Sequence, residues 1–288
     1  MKGTIYKGIG GFYYIKTADG EMVECKPRGI FRKRGIKPLA GDVVKLAREA
    51  GTVFIDEIQP RKNSLVRPPV ANVDQLFIIA STVEPVPSTL VIDKLAAMAY
   101  DLDIRPILLI SKPDLASPDT LLAAYRTSGI PVLVVQAANG SGVQEVKQML
   151  AGQLSVFCGN SGVGKSTLLN ALLPEAERDV GEISQKLGRG RHTTREVEIF
   201  EVADGLVADT PGFASLDLQR TGAILSDNMQ LCFPEIKNRI GQCKFSGCAH
   251  TSGSECAVRK AVANGEIAQS RYDNYVTFFE QARENERR

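Results

Sequence analysis

An eight-residue segment near the middle of the chain has the composition of a phosphate-binding loop. It reads G-x-x-x-x-G-K-S from Gly159 to Ser166, after a short apolar run and before apolar residues at helical spacing. Glycines allow backbone N–H groups to approach a phosphate, the lysine reaches the β- and γ-phosphates, and the final hydroxyl binds Mg²⁺. The predicted nucleotide-binding residues of this segment are Gly159, Asn160, Ser161, Gly162, Val163, Gly164, Lys165, Ser166 and Thr167.

Two further segments indicate that the nucleotide carries guanine. Asp114 follows an apolar run, and a carboxylate there accepts two hydrogen bonds from guanine N1–H and N2–H₂, a pair that adenine lacks. After the next apolar run, Gln136 and Ala137 would place a backbone N–H near the guanine O6. The predicted base-binding residues are Ser111, Lys112, Pro113, Asp114, Gln136 and Ala137.

A strand end and a polar stretch supply candidates for magnesium binding and hydrolysis. Asp209 would hold Mg²⁺ through water, and the N–H of Gly212 would contact the γ-phosphate. One of Thr193 and Thr194 would complete the Mg²⁺ shell together with Ser166. The predicted catalytic set is Lys165, Ser166, Thr193, Thr194, Asp209 and Gly212, with His192 as a candidate water-activating group.

The position after Gly212 weakens the case for fast hydrolysis. Many GTPases carry a glutamine there that orients the attacking water, whereas this chain has Phe213. We therefore expect slow intrinsic hydrolysis that needs help from another molecule.

A third feature is a cluster of metal-binding residues near the end of the chain. Cys243, Cys248, His250 and Cys256 fall within fourteen residues, and three thiols with one imidazole form a tetrahedral zinc set. Four protein ligands leave no open position for substrate, so the predicted zinc is structural. The other cysteines, Cys25, Cys158 and Cys232, are predicted to be buried small residues.

These residues must be positioned by at least two kinds of domain. Residues 1–66 predict a small OB-type β-barrel with strands near 12–15, 22–24, 43–46 and 53–58, separated by turn residues. Within it, Lys26–Lys37 carries six cations and no acid. This stretch is either a solvated loop or an RNA-contacting loop in which Phe31 stacks on a base.

The remainder of the chain predicts an α/β domain followed by a helical one. Residues 60–73 read as a linker, and residues 67–222 alternate strands with helices, which favours a doubly wound, mostly parallel sheet. Residues 223–288 are predicted to be a helical zinc-binding domain whose long polar helix, 266–288, packs through a partial apolar stripe. The predicted α/β elements are strands 75–81, 104–110, 130–135, 196–202 and 206–208, and helices 88–100, 117–129 and 143–150.

Overall composition sets limits on the kind of protein. The 288 residues carry a net charge of +2 and are 43% apolar, which is enough for ordinary cores. Apolar runs are too short to span a bilayer, and the N-terminus lacks the apolar core of a signal peptide. We expect a soluble, cytoplasmic, monomeric protein without a membrane partner, whose nucleic-acid contacts come from local charge clusters.

The order of the motifs is rotated relative to an ordinary GTPase, because base reading (111–114) precedes the phosphate loop (159–166). A circular permutation explains this order. With the segments 159–167, 190–194 and 209–213, an OB-like start and a cysteine-rich end, the chain resembles the circularly permuted bacterial GTPases of small-ribosomal-subunit biogenesis, the RsgA family.

The resemblance implies a GTP hydrolase whose partners are the small ribosomal subunit with its rRNA and GTP or GDP, and whose hydrolysis the subunit stimulates. One departure is Ser111, since asparagine usually begins the base-reading motif, and we expect the shorter side chain to loosen base binding. Two alternatives remain: a P-loop ATPase acting on another RNA, and an RNA-binding nucleotide switch with little turnover.

Overall fold

A computed structural model describes residues 1–172, 197–209 and 224–287. Five strands near the N-terminus form a closed barrel in the order β1-β2-β3-β5-β4, with β1 also pairing β4. Its core contains Ile5, Ile15, Val44 and Ile55, which are fully buried. The five strands are β1 (Lys2–Ile9), β2 (Phe12–Thr17), β3 (Met22–Pro27), β4 (Val43–Glu49) and β5 (Thr52–Ile58).

The basic stretch of the barrel is partly strand and helix rather than a loop throughout. Its first residues belong to β3, and Gly29–Lys33 forms a short helix, α1. Phe31 on this helix is only 8% exposed and packs in the barrel core. The prediction that Phe31 stacks on a base was therefore wrong, because the hydrophobic effect places the ring inside the barrel.

The stretch predicted as a linker is packed rather than extended. Strands β6 (Ser64–Leu65) and β7 (Val70–Ala71) form a hairpin whose apolar side chains are buried. The Asn63 side chain donates to the Val73 carbonyl oxygen at 2.9 Å and accepts from the Val73 N–H at 2.8 Å. This hairpin crosses the predicted boundary at residue 66, so the barrel and the α/β domain meet through a buried join.

The central domain has the predicted doubly wound form. Its strands lie in the order β10-β9-β8-β11-β13-β12, and all neighbouring pairs are parallel except β13 with β12. The strands are β8 (Gln75–Ser81), β9 (Arg105–Ser111), β10 (Val132–Val135), β11 (Leu154–Cys158), β12 (Glu198–Val202) and β13 (Gly205–Asp209). The helices are α2 (Thr89–Asp101), α3 (Asp119–Tyr125), α4 (Val143–Leu150) and α5 (Lys165–Leu172). Apolar clusters cover both faces of the sheet.

Local signals predicted the start of α2 correctly but not the end of α3. Ser88 caps α2 as predicted, since its hydroxyl accepts from the Val91 N–H at 3.4 Å. Helix α3 ends at Tyr125, before the predicted end near Gly129. The Ser128 hydroxyl donates to the Tyr125 carbonyl oxygen at 2.7 Å and accepts from the Ile130 N–H at 3.1 Å, which closes the helix early.

The barrel and the α/β sheet are joined by the pairing of one strand from each. Edge strand β12 pairs antiparallel with barrel strand β1 at Glu198 and Lys7, so eleven strands form one continuous sheet. This contact fixes the barrel against the antiparallel end of the α/β sheet.

The C-terminal region is helical and packs on α2. Its long helix begins at Gln269 rather than 266, and the predicted apolar stripe is confirmed by the burial of Ile267, Tyr275 and Phe279. A buried arginine, Arg271, also lies on this helix. Among the described residues, no helix is long and apolar enough to cross a membrane. The helices are Ser226–Met229, Pro234–Lys237, Ala257–Ala263 and Gln269–Glu286, with a 3-10 turn at Gln230–Cys232.

Candidate functional site: a nucleotide site and a Cys₃His centre

The carboxyl ends of neighbouring parallel strands bring the predicted nucleotide residues to one edge of the sheet. Gln136 follows β10, Ser111 ends β9, Gly159 follows β11 and Asp209 ends β13. These strands are adjacent or separated only by β8, although the residues span a large part of the sequence. Open α/β sheets bind ligands at this edge, because the loops there diverge and leave a crevice.

The predicted phosphate loop joins β11 to α5 in the strand–loop–helix context that its sequence requires. A Cβ on Gly159 would lie 2.6 Å from the Ile79 carbonyl oxygen, so only glycine fits there. Gly164 has a φ of +94°, which favours glycine at the turn into the helix. Val163 is buried and anchors the loop, while Ser166 at the helix start is exposed and accessible to a ligand.

The base-reading segment is tied to the phosphate loop by Ser111. Its hydroxyl donates to the Val163 carbonyl oxygen at 2.7 Å and lies 3.3 Å from the Ala80 carbonyl oxygen. Asp114, three residues later, is exposed to solvent. The two predicted binding segments are therefore held in a defined mutual position.

The loop that follows β8 was missed as part of the site. The Thr82 hydroxyl donates to the Lys112 carbonyl oxygen at 2.6 Å, and the Lys112 ammonium donates to the Glu84 carbonyl oxygen at 2.7 Å. The two contacts hold the backbone and the side chain of Lys112 in place, and the backbone there has a left-handed φ of +57°. The sequence signal for this loop was that Thr82 directly follows a strand of buried type. The loop belongs to the site because β8 lies between β9 and β11.

The structure favours one of the two residues that were predicted to donate a backbone N–H to guanine O6. The N–H of Gln136 donates to the Ser141 carbonyl oxygen at 2.9 Å, and the Gln136 side chain accepts from Asn139 at 2.7 Å. An N–H that is already paired is a poor donor to a ligand, so Ala137 is the better candidate of the two.

Several predicted catalytic residues cannot be placed. His192, Thr193, Thr194, Gly212 and Phe213 lie outside the described residues. Asp209 lies at the end of β13, where its backbone pairs with Glu198 of β12.

The four residues of the predicted metal set come together in the C-terminal region. One ligand atom each from Cys243, Cys248, His250 and Cys256 lies within 4.8 Å of the others. The Cys243 sulfur lies 3.4 Å from His250 Nδ1 and 3.9 Å from the Cys256 sulfur, which itself lies 3.5 Å from Nδ1. These separations match the edges of a tetrahedron of metal ligands, so the cluster can hold a metal ion.

Neighbouring backbone and tyrosine groups hold the cluster in shape. The N–H groups of Ala257 and His250 donate to the sulfurs of Cys243 and Cys248 at 3.3 Å and 3.4 Å. The Tyr272 hydroxyl donates to the His250 carbonyl oxygen at 2.9 Å, where the His250 backbone has a φ of +61°. The long C-terminal helix thus supports the metal-binding loop from one side.

Burial and hydrogen bonds shift the pKa values of three of the four residues in the cluster. Burial raises the pKa of Cys256 and lowers the pKa of His250, which favours the neutral imidazole that binds metals. Burial acts to raise the pKa of Cys243 as well, but hydrogen bonds such as that from the Ala257 N–H outweigh it and lower the pKa. His250 Nδ1 is the candidate ligand atom because it lies 3.4 and 3.5 Å from the sulfurs of Cys243 and Cys256, while Nε2 is buried without a hydrogen-bond partner among the described residues.

The three other cysteines are buried small residues, as predicted. Cys25, Cys158 and Cys232 are each 3% exposed, and burial raises the pKa of each thiol to about 12. These thiols therefore remain protonated and unreactive at neutral pH.

Two family models match the chain. The RsgA GTPase model matches residues 58–219, and the RsgA N-terminal domain model matches residues 2–53. Among curated proteins, the small ribosomal subunit biogenesis GTPase RsgA of Geobacillus sp. (strain WCH70) is 43% identical over 100% of this chain and 99% of its own. The protein of the same name from Shouchella clausii (strain KSM-K16) has the same identity and coverage.

Solved structures agree with this similarity. The crystal structure of YloQ, a circularly permuted GTPase, superposes with a TM-score of 0.80 at 34% identity, over 99% of this chain and 95% of that one. The crystal structure of YjeQ from Thermotoga maritima gives a TM-score of 0.82 at 34% identity, over 98% of each chain. The likeness therefore covers the barrel, the α/β domain and the C-terminal region together.

Proposed function

The chain belongs to the RsgA GTPase family, and from this premise we propose that it hydrolyses GTP while bound to the small ribosomal subunit and assists late maturation of that subunit. The observation that carries the proposal is the joining of two motifs in permuted order. Asp114 follows a strand that precedes the phosphate loop in the chain, and the Ser111 hydroxyl bonds to that loop. The names of the curated relatives support the ribosomal partner.

The phosphate loop and the base-reading segment divide the work of binding GTP. Backbone N–H groups from Gly159 to Ser166 surround the phosphates, and Lys165 neutralises the β- and γ-phosphates. Asp114 selects guanine, Lys112 covers the base plane, and Ala137 donates to O6. Ser166 at the start of α5 and Asp209 at the end of β13 would hold Mg²⁺, because a hydroxyl and a carboxylate are hard oxygen ligands. Held by these residues, Mg²⁺ would supply positive charge beside the phosphates during hydrolysis.

The source of the water-activating group remains a proposal drawn from the sequence. Phe213 cannot orient water, and His192 is the candidate within the chain. One of Thr193 and Thr194 would complete the magnesium shell, and the N–H of Gly212 would contact the γ-phosphate; all three residues lie outside the described ranges. With no glutamine after Gly212, the small subunit supplies the missing help and hydrolysis is slow without it.

Zinc is the metal that the Cys₃His cluster fits best. A tetrahedron with Zn–S bonds of ~2.3 Å and Zn–N bonds of ~2.0–2.1 Å has edges of ~3.8 Å between sulfurs and ~3.6 Å between sulfur and nitrogen. The observed separations of 3.9, 3.4 and 3.5 Å lie close to these values. With four protein ligands the ion is structural and holds residues 243–256 in a compact loop.

Exposed cations on the barrel support the proposed rRNA contact. Arg32, Lys33 and Arg34 are exposed on and after α1, and none of them forms an ion pair with the described residues. Arg28 differs because it pairs with Glu49 and Asp56. On the C-terminal region, Phe245 is 68% exposed beside Lys244, which places an aromatic ring and a cation together for a second contact.

The assay that tests the function measures GTP hydrolysis with and without purified small ribosomal subunits. We expect slow hydrolysis by the protein alone and strong stimulation by the subunits, in a monomeric protein that acts in the cytoplasm. Absence of stimulation would reduce the function to a nucleotide switch that binds RNA with little turnover. Competition between GTP and ATP for the free protein tests the second alternative, because an ATPase would prefer ATP.

A further inference from the structure

A single row of residues crosses from the barrel to the nucleotide edge of the sheet. Lys7 of β1 pairs with Glu198 of β12, and Glu198 pairs with Asp209 of β13. Lys7 and Asp209 are therefore separated by two strand spacings, ~10 Å between Cα atoms. Ala208, the residue before Asp209, pairs with Val156 of β11, which leads into the phosphate loop.

Side chains reinforce this row at its barrel end. The Lys7 ammonium lies 2.7 Å from a Glu198 carboxylate oxygen, with the two side chains 29% and 35% exposed. The backbone pairing of β1 with β12 covers this one residue pair. The contact between Lys7 and Glu198 is therefore one of the side-chain contacts that position β12 relative to the barrel.

Strand β1 makes a second contact with β12 through Tyr6, which lies in a bulge. The register of β1 against β2 shifts between Ile5 and Lys7, which makes Tyr6 the extra residue. Successive side chains of a regular strand face opposite sides, and a bulge changes this alternation. The Tyr6 hydroxyl donates to Glu201 at 2.8 Å, and Lys16 of β2 also pairs with Glu201.

The two contacts lie at different distances from the nucleotide edge. Glu198 is the cross-strand partner of Asp209, whereas Glu201 pairs with Leu206, three residues back along β13. A strand rises ~3.4 Å per residue, so Glu201 lies ~10 Å farther from that edge. Both contacts join the same two elements, but only the contact of Glu198 lies in the row of Asp209.

We propose that Lys7 and Glu198 are positioning residues of the nucleotide site, and that their ion pair sets the position of Asp209 from the barrel side. The inference rests on the proposed function, in which Asp209 serves Mg²⁺ and the barrel contacts rRNA. It goes further by making the barrel part of the magnesium site. By linkage, rRNA held by the barrel and Mg²⁺·GTP held at the sheet edge then influence each other through β12.

The test measures the Mg²⁺ dependence of GTP binding by the full-length protein, with a fluorescent GTP analogue as probe. Lys7→Met and Glu198→Gln should each raise the Mg²⁺ concentration for half-maximal enhancement of binding by at least about fivefold. The affinity for GDP without Mg²⁺ should stay within about twofold of wild type, because those contacts come from the phosphate loop and Asp114. Lys7→Arg keeps the charge and should behave like wild type.

The matched control is Lys16→Met, which removes an ion pair between the barrel and β12 away from the row. It should leave the Mg²⁺ dependence unchanged. The inference is overturned if Lys7→Met and Glu198→Gln do not shift the Mg²⁺ dependence, or if Lys16→Met shifts it equally, since the pairs then only attach the barrel. Failure of the proposed function gives a different result: the wild-type protein would not bind GTP in preference to ATP.

Discussion

The hydroxyl of Ser111 donates a 2.7 Å hydrogen bond to the carbonyl oxygen of Val163, which joins the base-reading segment to the phosphate loop. Strand β8 lies between the strands that carry these two segments, and Ser111 also approaches Ala80 on β8. We expected the short serine side chain to loosen base binding. The structure shows a serine that reaches the loop directly, and the effect of its shorter side chain on base binding stays a prediction.

Removal of this hydroxyl should weaken the binding of both GTP and GDP. Ser111→Ala loses one hydrogen bond, which typically contributes ~0.5–1.5 kcal/mol, so the dissociation constants should rise by roughly 2–12-fold. Titration with fluorescent guanine nucleotides measures the change. Ser111→Thr keeps the hydroxyl and serves as the control, with near wild-type binding. Unchanged affinity in Ser111→Ala would show that the two segments hold their positions without this bond.

The buried network around Arg271 should stabilise the docking of the C-terminal region on the α/β domain. Arg271 pairs with Asp93 of α2 at 2.6 Å and with Glu235 at 2.7 Å, and its guanidinium lies 4.6 Å from the Phe233 ring centroid. Tyr125 and Asn274 also donate to Asp93 at 2.7 Å and 2.6 Å.

Arg271→Met leaves two buried carboxylates without their cation. Loss of one partner of a buried pair costs ~3–5 kcal/mol, so a large drop in the free energy of unfolding by urea is expected. The exposed pair of Lys260 and Glu255 provides the control. Lys260→Met should change stability by less than ~1 kcal/mol. Equal effects of the two variants would argue against a stabilising role for the network.

The Cys₃His cluster should bind zinc and require it for the structure of the C-terminal region. Cys248→Ser removes one thiolate ligand, so the zinc content measured by atomic absorption should fall well below that of wild type. A chelator should reduce the helical circular dichroism of the wild-type protein, because ion binding contributes to folding. Cys25→Ser alters a buried cysteine of the barrel and should leave the zinc content unchanged. Full zinc content in Cys248→Ser would exclude this site.

The exposed cations after β3 should contribute to binding of the small ribosomal subunit through its phosphates. Replacement of Arg32, Lys33 and Arg34 by glutamine should make the negative slope of log affinity against log salt shallower by about 2. Each phosphate contact contributes ~0.7–0.9 to the magnitude of this slope. Arg28→Gln is the control, because Glu49 and Asp56 already neutralise Arg28. A slope that does not change in the triple variant would place the rRNA contact elsewhere.

Tertiary packing altered the sequence-based predictions at particular residues. The first strand, Lys2–Ile9, was missed because its lysines and glycines do not favour strands, yet Gly3 is needed where a Cβ would lie 2.6 Å from the Lys16 carbonyl oxygen. Phe31 was predicted to stack on a base and residues 60–73 to form a linker, because a basic or proline-rich neighbourhood gives no sign of distant apolar partners. Arg271 was read as part of a polar helix for the same reason.

The sequence by itself determined the permuted order of the motifs, and it predicted the phosphate loop, the role of Asp114 in selecting guanine and the four candidate metal-binding residues. Each depends on residue types at short spacing, which local backbone geometry and ligand chemistry dictate. Only the tertiary structure decided the bond from Ser111 to Val163, the burial of Phe31 and the row from Lys7 through Glu198 to Asp209. These contacts join residues far apart in the chain, so they depend on strand order and register, which no short segment specifies.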